Sequence, residues 1–91
     1  MIRRHAIVAG MVQGVGFRWS ARETARGLRV SGFARNRLDG TVEVEVEGEP
    51  DHVERMLAWL RTGPPGSQVD SVTVTDVPAL GDDAFRVRES Q

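Results

Sequence analysis

From Thr41 to Glu47 the chain alternates without a break, valine at 42, 44 and 46 and glutamate at 43, 45 and 47. That is the period of a strand with one face in a core and the other in water, so the three glutamates are expected to face solvent, balanced by arginines on neighbouring strands. Residues 5 to 9, His-Ala-Ile-Val-Ala, form a shorter apolar run that stops at Gly10, and the β-branched pair Ile7-Val8 favours a strand. After a glycine-punctuated loop, Ala21, Ala25 and Leu28 recur at helical spacing and predict a helix from Arg18 to about Leu28. Val30 to Arg35 is the next strand, and Asn36-Arg37-Leu38-Asp39-Gly40 carries the Asp-Gly signal of a hairpin.

Pro50 suits a first helical position, and Val53, Met56, Leu57 and Leu60 mark an amphipathic helix that Gly63-Pro64-Pro65-Gly66 ends. Trp59 reads as part of its packing. Val72 and Val74, alternating with Ser71, Thr73 and Thr75, predict a further strand, and Ala84 to Arg88 a short last one with Phe85 and Val87 as its apolar set. The order strand, helix, strand, strand, helix, strand, plus a small terminal strand, is the split βαβ pattern of the ferredoxin-like α+β class. The expectation is an antiparallel sheet with two helices on one face, its first two strands parallel through a right-handed crossover and the third between them. Parallel strands end on one edge, so the loop after Gly10 and Asn36 should emerge side by side.

Composition narrows the field without choosing a function. With 91 residues, 40% hydrophobic and 27% charged, the chain has the makings of one domain over 1–91 with one modest core. All twelve basic residues are arginine, yet the formal charge is -1, which disfavours nucleic acid as a partner. There is no cysteine, so disulfides, thiolate metal sites and cysteine nucleophiles are excluded. The apolar stretch near the start is too short for a signal or a spanning helix, and a cytoplasmic location away from membranes is the default. His5 and His52 are the only histidines; neither has a partner at metal spacing along the chain, and structural or solvated roles are expected for both.

The segment with chemical content is Gly10-Met11-Val12-Gln13-Gly14-Val15-Gly16-Phe17-Arg18. Glycines permit positive φ, so successive backbone N–H groups can converge on one point. A helix N-terminus adds unpaired donors, and the Arg18 guanidinium can close over a tetrahedral oxyanion with two parallel bonds. These are the parts of a phosphate cradle over Gln13, Gly14, Val15, Gly16, Phe17 and Arg18. The loop lacks the Lys-Ser/Thr ending of a P-loop and is not GxGxxG, which disfavours nucleotides.

GMVQGVGFR resembles the first signature of the acylphosphatase family, a Gly-x-Val-Gln-Gly-Val-x-Phe-Arg loop, at every specified position. GFARNRLDGTVEV is similar to the second, through Gly32, Asn36, Gly40 and Val42. The resemblance runs from about Arg4 to Arg88, with Phe33 and Ala34 where many members have Trp and Val. It implies metal-independent, cofactor-free hydrolysis of a small-molecule acyl phosphate by a monomer. It also implies catalytic roles for Arg18 on the phosphate and Asn36 on the attacking water. Thr41, from its place in the hairpin, is expected to hydrogen-bond and steady Asn36.

Two other readings carry sequence arguments. One is a non-catalytic module that holds phosphate or carbamoyl phosphate, as in carbamoyl-transferring maturation proteins; a short free-standing chain argues against it. The other is RNA binding on the same βαββαβ order, where the glutamates at 43, 45 and 47 would repel a phosphate backbone. Trp19, just after the loop arginine, either walls the acyl group of a substrate or lies over the helix or sheet surface.

Overall fold

The computed structural model describes all of Met1–Gln91. Its elements are β1 (Ile2–Met11), α1 (Phe17–Leu28), β2 (Ser31–Asn36), β3 (Val42–Gly48), α2 (Pro50–Thr62), β4 (Gln68–Val77) and β5 (Phe85–Arg88). The sheet order is β4-β1-β3-β2-β5, with β3 antiparallel to both β1 and β2. The first two strands are therefore parallel with the third between them, as the element order requires. The sheet is mixed rather than antiparallel throughout, because β5 pairs with β2 in parallel. The long connection from β4 returns the chain to the far edge in the direction of β2, which element order alone does not specify. No helix is long and apolar enough to cross a membrane.

β1 and its edge partner β4 are longer than their apolar runs. β1 begins at Ile2, three residues before the run, and pairs with β4 along the whole of Gln68–Val77. Its polar start is held by ions: Arg4 reaches Glu54 of α2 at 2.9 Å, and Arg3 reaches Glu45 of β3 at 2.6 Å. At the other end β1 continues one residue past Gly10, across a register shift between Ala9 and Gly10. A Cβ on Gly10 would lie 2.1 Å from the carbonyl oxygen of Gln68, so only glycine lets the two strands touch where the chain bends into the loop.

The core lies between the sheet and its two helices. Ala6 and Val8 of β1, the valines of β3, Ala21 and Ala25 of α1, and Val53, Met56, Leu57 and Leu60 of α2 form one buried cluster with Phe85. Alternation in β3 thus builds the core, but its outer face is not uniformly wet. Glu43 and Glu45 are half-buried, and Glu47 is only 2% exposed. The expectation of solvent for Glu47 fails because the β4–β5 connection folds over it. Its carboxylate accepts from the backbone N–H groups of Leu80, Gly81 and Asp82 at 2.7, 2.9 and 3.2 Å, and from Arg3 Nη1 at 3.1 Å.

The same open face carries a ladder of opposite charges. His5 Nε2 lies 2.7 Å from Glu43 Oε2, and Arg35 Nε donates to Glu43 at 2.9 Å. Phe33 sits beside them, 5% exposed, under the guanidinium of Arg88 at 4.1 Å and that of Arg35 at 5.5 Å. The expectation that His5 lacks partners at metal spacing is corrected here. Its ring nitrogen and the carboxylates of Glu43 and Glu45 lie within 4.8 Å of one another, brought together across two strands. Arginines already occupy both carboxylates, so the cluster is an ion-pair ladder.

Backbone N–H donation from Leu80 is the main force holding the Glu47 carboxyl below its ordinary value of 4.5, with burial opposing and Arg3 reinforcing. Burial pushes Glu43 upward, but the bonds from His5 and Arg35 outweigh it and its net shift is also down. A depressed carboxyl stabilises the fold fully above its unfolded value and loses that contribution as pH falls through its folded value. Thermal melting should accordingly be steady from neutrality to about pH 5.5 and fall steeply below about pH 4. Melting that stayed level down to pH 3 would contradict this network.

Candidate active site

Two apolar anchors hold the loop between β1 and α1. Val12 and Phe17 are almost fully buried, while Gln13, Gly14 and Gly16 between them are exposed. Gly14 and Gly16 take φ of 76° and 74°, and Gly16 is the N-cap of α1 in the left-handed region, without a side-chain cap. The helix begins at Phe17, one residue earlier than its apolar spacing predicts. Ser20 N–H is the first to find a helical carbonyl, that of Gly16 at 3.0 Å, and no N–H from Val12 to Trp19 donates to another backbone group. The outcome is a run of unspent donors at the positive end of a twelve-residue helix.

Arg18 extends from the first turn of α1, and its Nη1 donates to the carbonyl of Arg88 at 2.8 Å, at the end of β5. That bond leaves the rest of the guanidinium fork to meet an anion. Asn36 ends β2, where it pairs with Val42, and its carbonyl accepts from Gln91 N–H at 3.0 Å. Parallel β1 and β2 bring the two residues to one edge of the sheet. Gly14, Gly16, Phe17, Arg18 and Asn36 line one cavity of about 200 Å³, together with Val12 and Trp19.

Three expected site residues sit differently from their forecast. Gln13 does not turn its side chain to the cavity: Nε2 donates to the carbonyls of Arg37 and Thr41 at 2.8 and 2.9 Å. It ties the loop to the β2–β3 turn and so sets Arg18 against Asn36. The Thr41 hydroxyl donates to Asp39 Oδ1 at 2.6 Å, and Thr41 N–H to the same oxygen at 3.0 Å. The expected Thr41–Asn36 bond is replaced by this local turn, because Asp39 stands two residues away with an acceptor already in place. Val15 is half-buried and packs against the core, so its contribution to the cradle is its main chain.

The Arg88 carbonyl was not legible as a site element. Its only signal is the short Phe85–Val87 alternation, which says a strand is present but not that its end reaches Arg18. None of His5, Glu43 and Glu45 lines the Arg18 cavity.

The acylphosphatase family model matches residues 4–87. The chain belongs to the acylphosphatase family. It is 45% identical over 86 residues to the acylphosphatase of Thermococcus kodakarensis, covering 94% of each chain. The crystal structure of acylphosphatase from Bacillus subtilis superposes with a TM-score of 0.93 at 34% identity, over 97% of this chain and 99% of that one. A full-length HypF in its phosphate- and nucleotide-bound form contains the same fold, with a TM-score of 0.88 at 29% identity, over 99% of this chain and 12% of that one. As an acylphosphatase the chain is a hydrolase of the carboxyl–phosphate bond of acyl phosphates.

Proposed function

We propose that the cavity between the Gly14–Gly16 loop and Asn36 is where this acylphosphatase cleaves its substrate. Arg18 and the loop N–H groups hold the phosphoryl group, and Asn36 places the attacking water. The observation that carries the reading is the shared cavity itself: unspent N–H donors, a guanidinium anchored at one end, and a carboxamide on the next parallel strand. The reaction suits so spare a site. A carboxylate leaves with a conjugate-acid pKa of only about 4 to 5, so no general acid is needed.

Water oxygen attacks phosphorus, the bond from phosphorus to the acyl oxygen breaks, and its electron pair leaves with the carboxylate. The attacking water loses a proton to a phosphoryl oxygen, since an amide such as Asn36 orients water but is too weak a base to accept the proton. The products are carboxylate and dihydrogen phosphate, which the medium then equilibrates. Charge spreads over the phosphoryl oxygens in a loose transition state, where the loop donors and Arg18 act most strongly. No step calls on a metal or cofactor. Action as a monomer in the cytoplasm accords with a small, cysteine-free chain.

Asn36→Ala separates holding from reacting. It should lower kcat on benzoyl phosphate by about a hundredfold, the usual cost of a misplaced reactant. Competitive inhibition by inorganic phosphate should stay within about threefold of the parent. A large loss of phosphate affinity with kcat preserved would reverse the assigned roles. Purified chain that bound phosphate yet turned over no acyl phosphate would favour the non-catalytic module instead.

A further inference from the structure

A second cavity, of about 410 Å³, adjoins the face of α1 and is lined in part by Trp19, Glu23, Trp59, Gly63, Pro64 and Pro65. Trp19 borders both this groove and the Arg18 cavity. The floors of the two are also joined, because Phe17 of the loop packs against Trp59 with ring centroids 5.5 Å apart. Trp59 is accordingly half-buried and faces a surface groove, rather than lying wholly in the core.

We infer that the groove between Trp19 and the Trp59–Pro65 corner holds the acyl group of the substrate and makes this enzyme prefer aromatic acyl phosphates. The inference rests on the assignment of phosphate to the Arg18 cavity. An acyl phosphate held there must send its carboxylate away from the water at Asn36, because displacement is in line. The space next to the cavity on the Trp19 side has the size of small-ligand sites and walls of indole and proline rings.

Trp19 explains itself on this account. It is 58% exposed, directly follows the phosphate-gripping arginine, and has the guanidinium of Arg22 5.7 Å from its ring centroid. A large indole left in water at the mouth of a polar cavity contributes little to folding, whereas an aryl ring stacked on it is removed from water along with it. Glu23 is the sole ionisable side chain of the groove. Its carboxylate disfavours acyl groups that carry an anion of their own, leaving neutral rings as the best fit.

The test compares kcat/KM on benzoyl phosphate and on acetyl phosphate for the parent, Trp19→Ala and Trp19→Phe. The parent should favour the benzoyl substrate by at least tenfold. Trp19→Ala should reduce that preference by about tenfold, mostly through KM, and Trp19→Phe should restore most of it. A preference unchanged by Trp19→Ala, an equal fall on both substrates, or a parent that favours acetyl phosphate would overturn the subsite while leaving hydrolysis at Arg18 standing. A parent that hydrolyses neither would overturn the catalytic assignment beneath it. The substituted residue is exposed, so loss of fold does not confound the comparison.

Discussion

Arg18→Ala should cost at least a hundred- to a thousandfold in kcat/KM on benzoyl phosphate, which is about 2.7 to 4 kcal/mol of transition-state stabilisation. The estimate is a lower bound, since the substitution removes a charge as well as hydrogen bonds. Competitive inhibition by inorganic phosphate should weaken too, because the proposed role has the guanidinium contact the anion before and after the reaction. Arg18→Lys should recover only part of the loss: it restores the charge but not the planar fork, and its three donors radiate from one nitrogen, which fits two phosphoryl oxygens and the Arg88 carbonyl less well. The fold should survive both changes, which circular dichroism would verify, as Arg18 is half-exposed and outside the buried cluster. A near-parental rate for Arg18→Ala would remove the residue from the mechanism.

The largest effect on stability should come from Glu47→Ala, at about 3 to 5 kcal/mol, the cost of breaking a buried pair from one side. The variant takes one of three carboxylates from Arg3, which is 3% exposed and keeps Glu45 and Asp82, and it leaves three backbone N–H groups of the β4–β5 connection without their acceptor. In a domain of this length that corresponds to a drop in Tm on the order of 15 °C or more. Glu45 also bonds Arg3, at 2.6 Å, but its side chain is 19% exposed and water can replace it. Glu45→Ala should therefore cost only about 1 kcal/mol. Equal melting temperatures for the two variants would refute the special place given to Glu47.

That pair of glutamates also marks where sequence reasoning ends. The alternation from Val42 to Glu47 carries the core face of β3 and its partners, and with the helical spacings it yields the βαββαβ order and the placement of β3 between β1 and β2. It cannot distinguish Glu45 from Glu47, because what differs is the β4–β5 connection, thirty-odd residues away, closing over one of them. Nor does local pattern show that β5 lies parallel to β2, or that β1 extends through Ile2-Arg3-Arg4 on the strength of cross-strand ion pairs. Periodicity records burial, and these features come from charge pairing between distant segments.

The candidate site divides along the same line. Gly14, Gly16 and Arg18 were legible because backbone freedom and helix polarity are local properties, and the strand order brought Asn36 to the same edge. What was not legible is how side chains choose among acceptors within reach. Gln13 bridges to the hairpin carbonyls, Thr41 turns to Asp39, and Arg18 leans on the Arg88 carbonyl. Two of these contacts depend on where other segments arrive. Thr41 alone could have been anticipated, from the aspartate two positions before it.

Hydrolysis of benzoyl phosphate in ¹⁸O-labelled water containing EDTA tests the central claim most directly. The account predicts turnover undiminished by the chelator, with the label delivered to inorganic phosphate, since water attacks phosphorus at a site that uses no metal. Label appearing in benzoate, or activity abolished by EDTA, would contradict it.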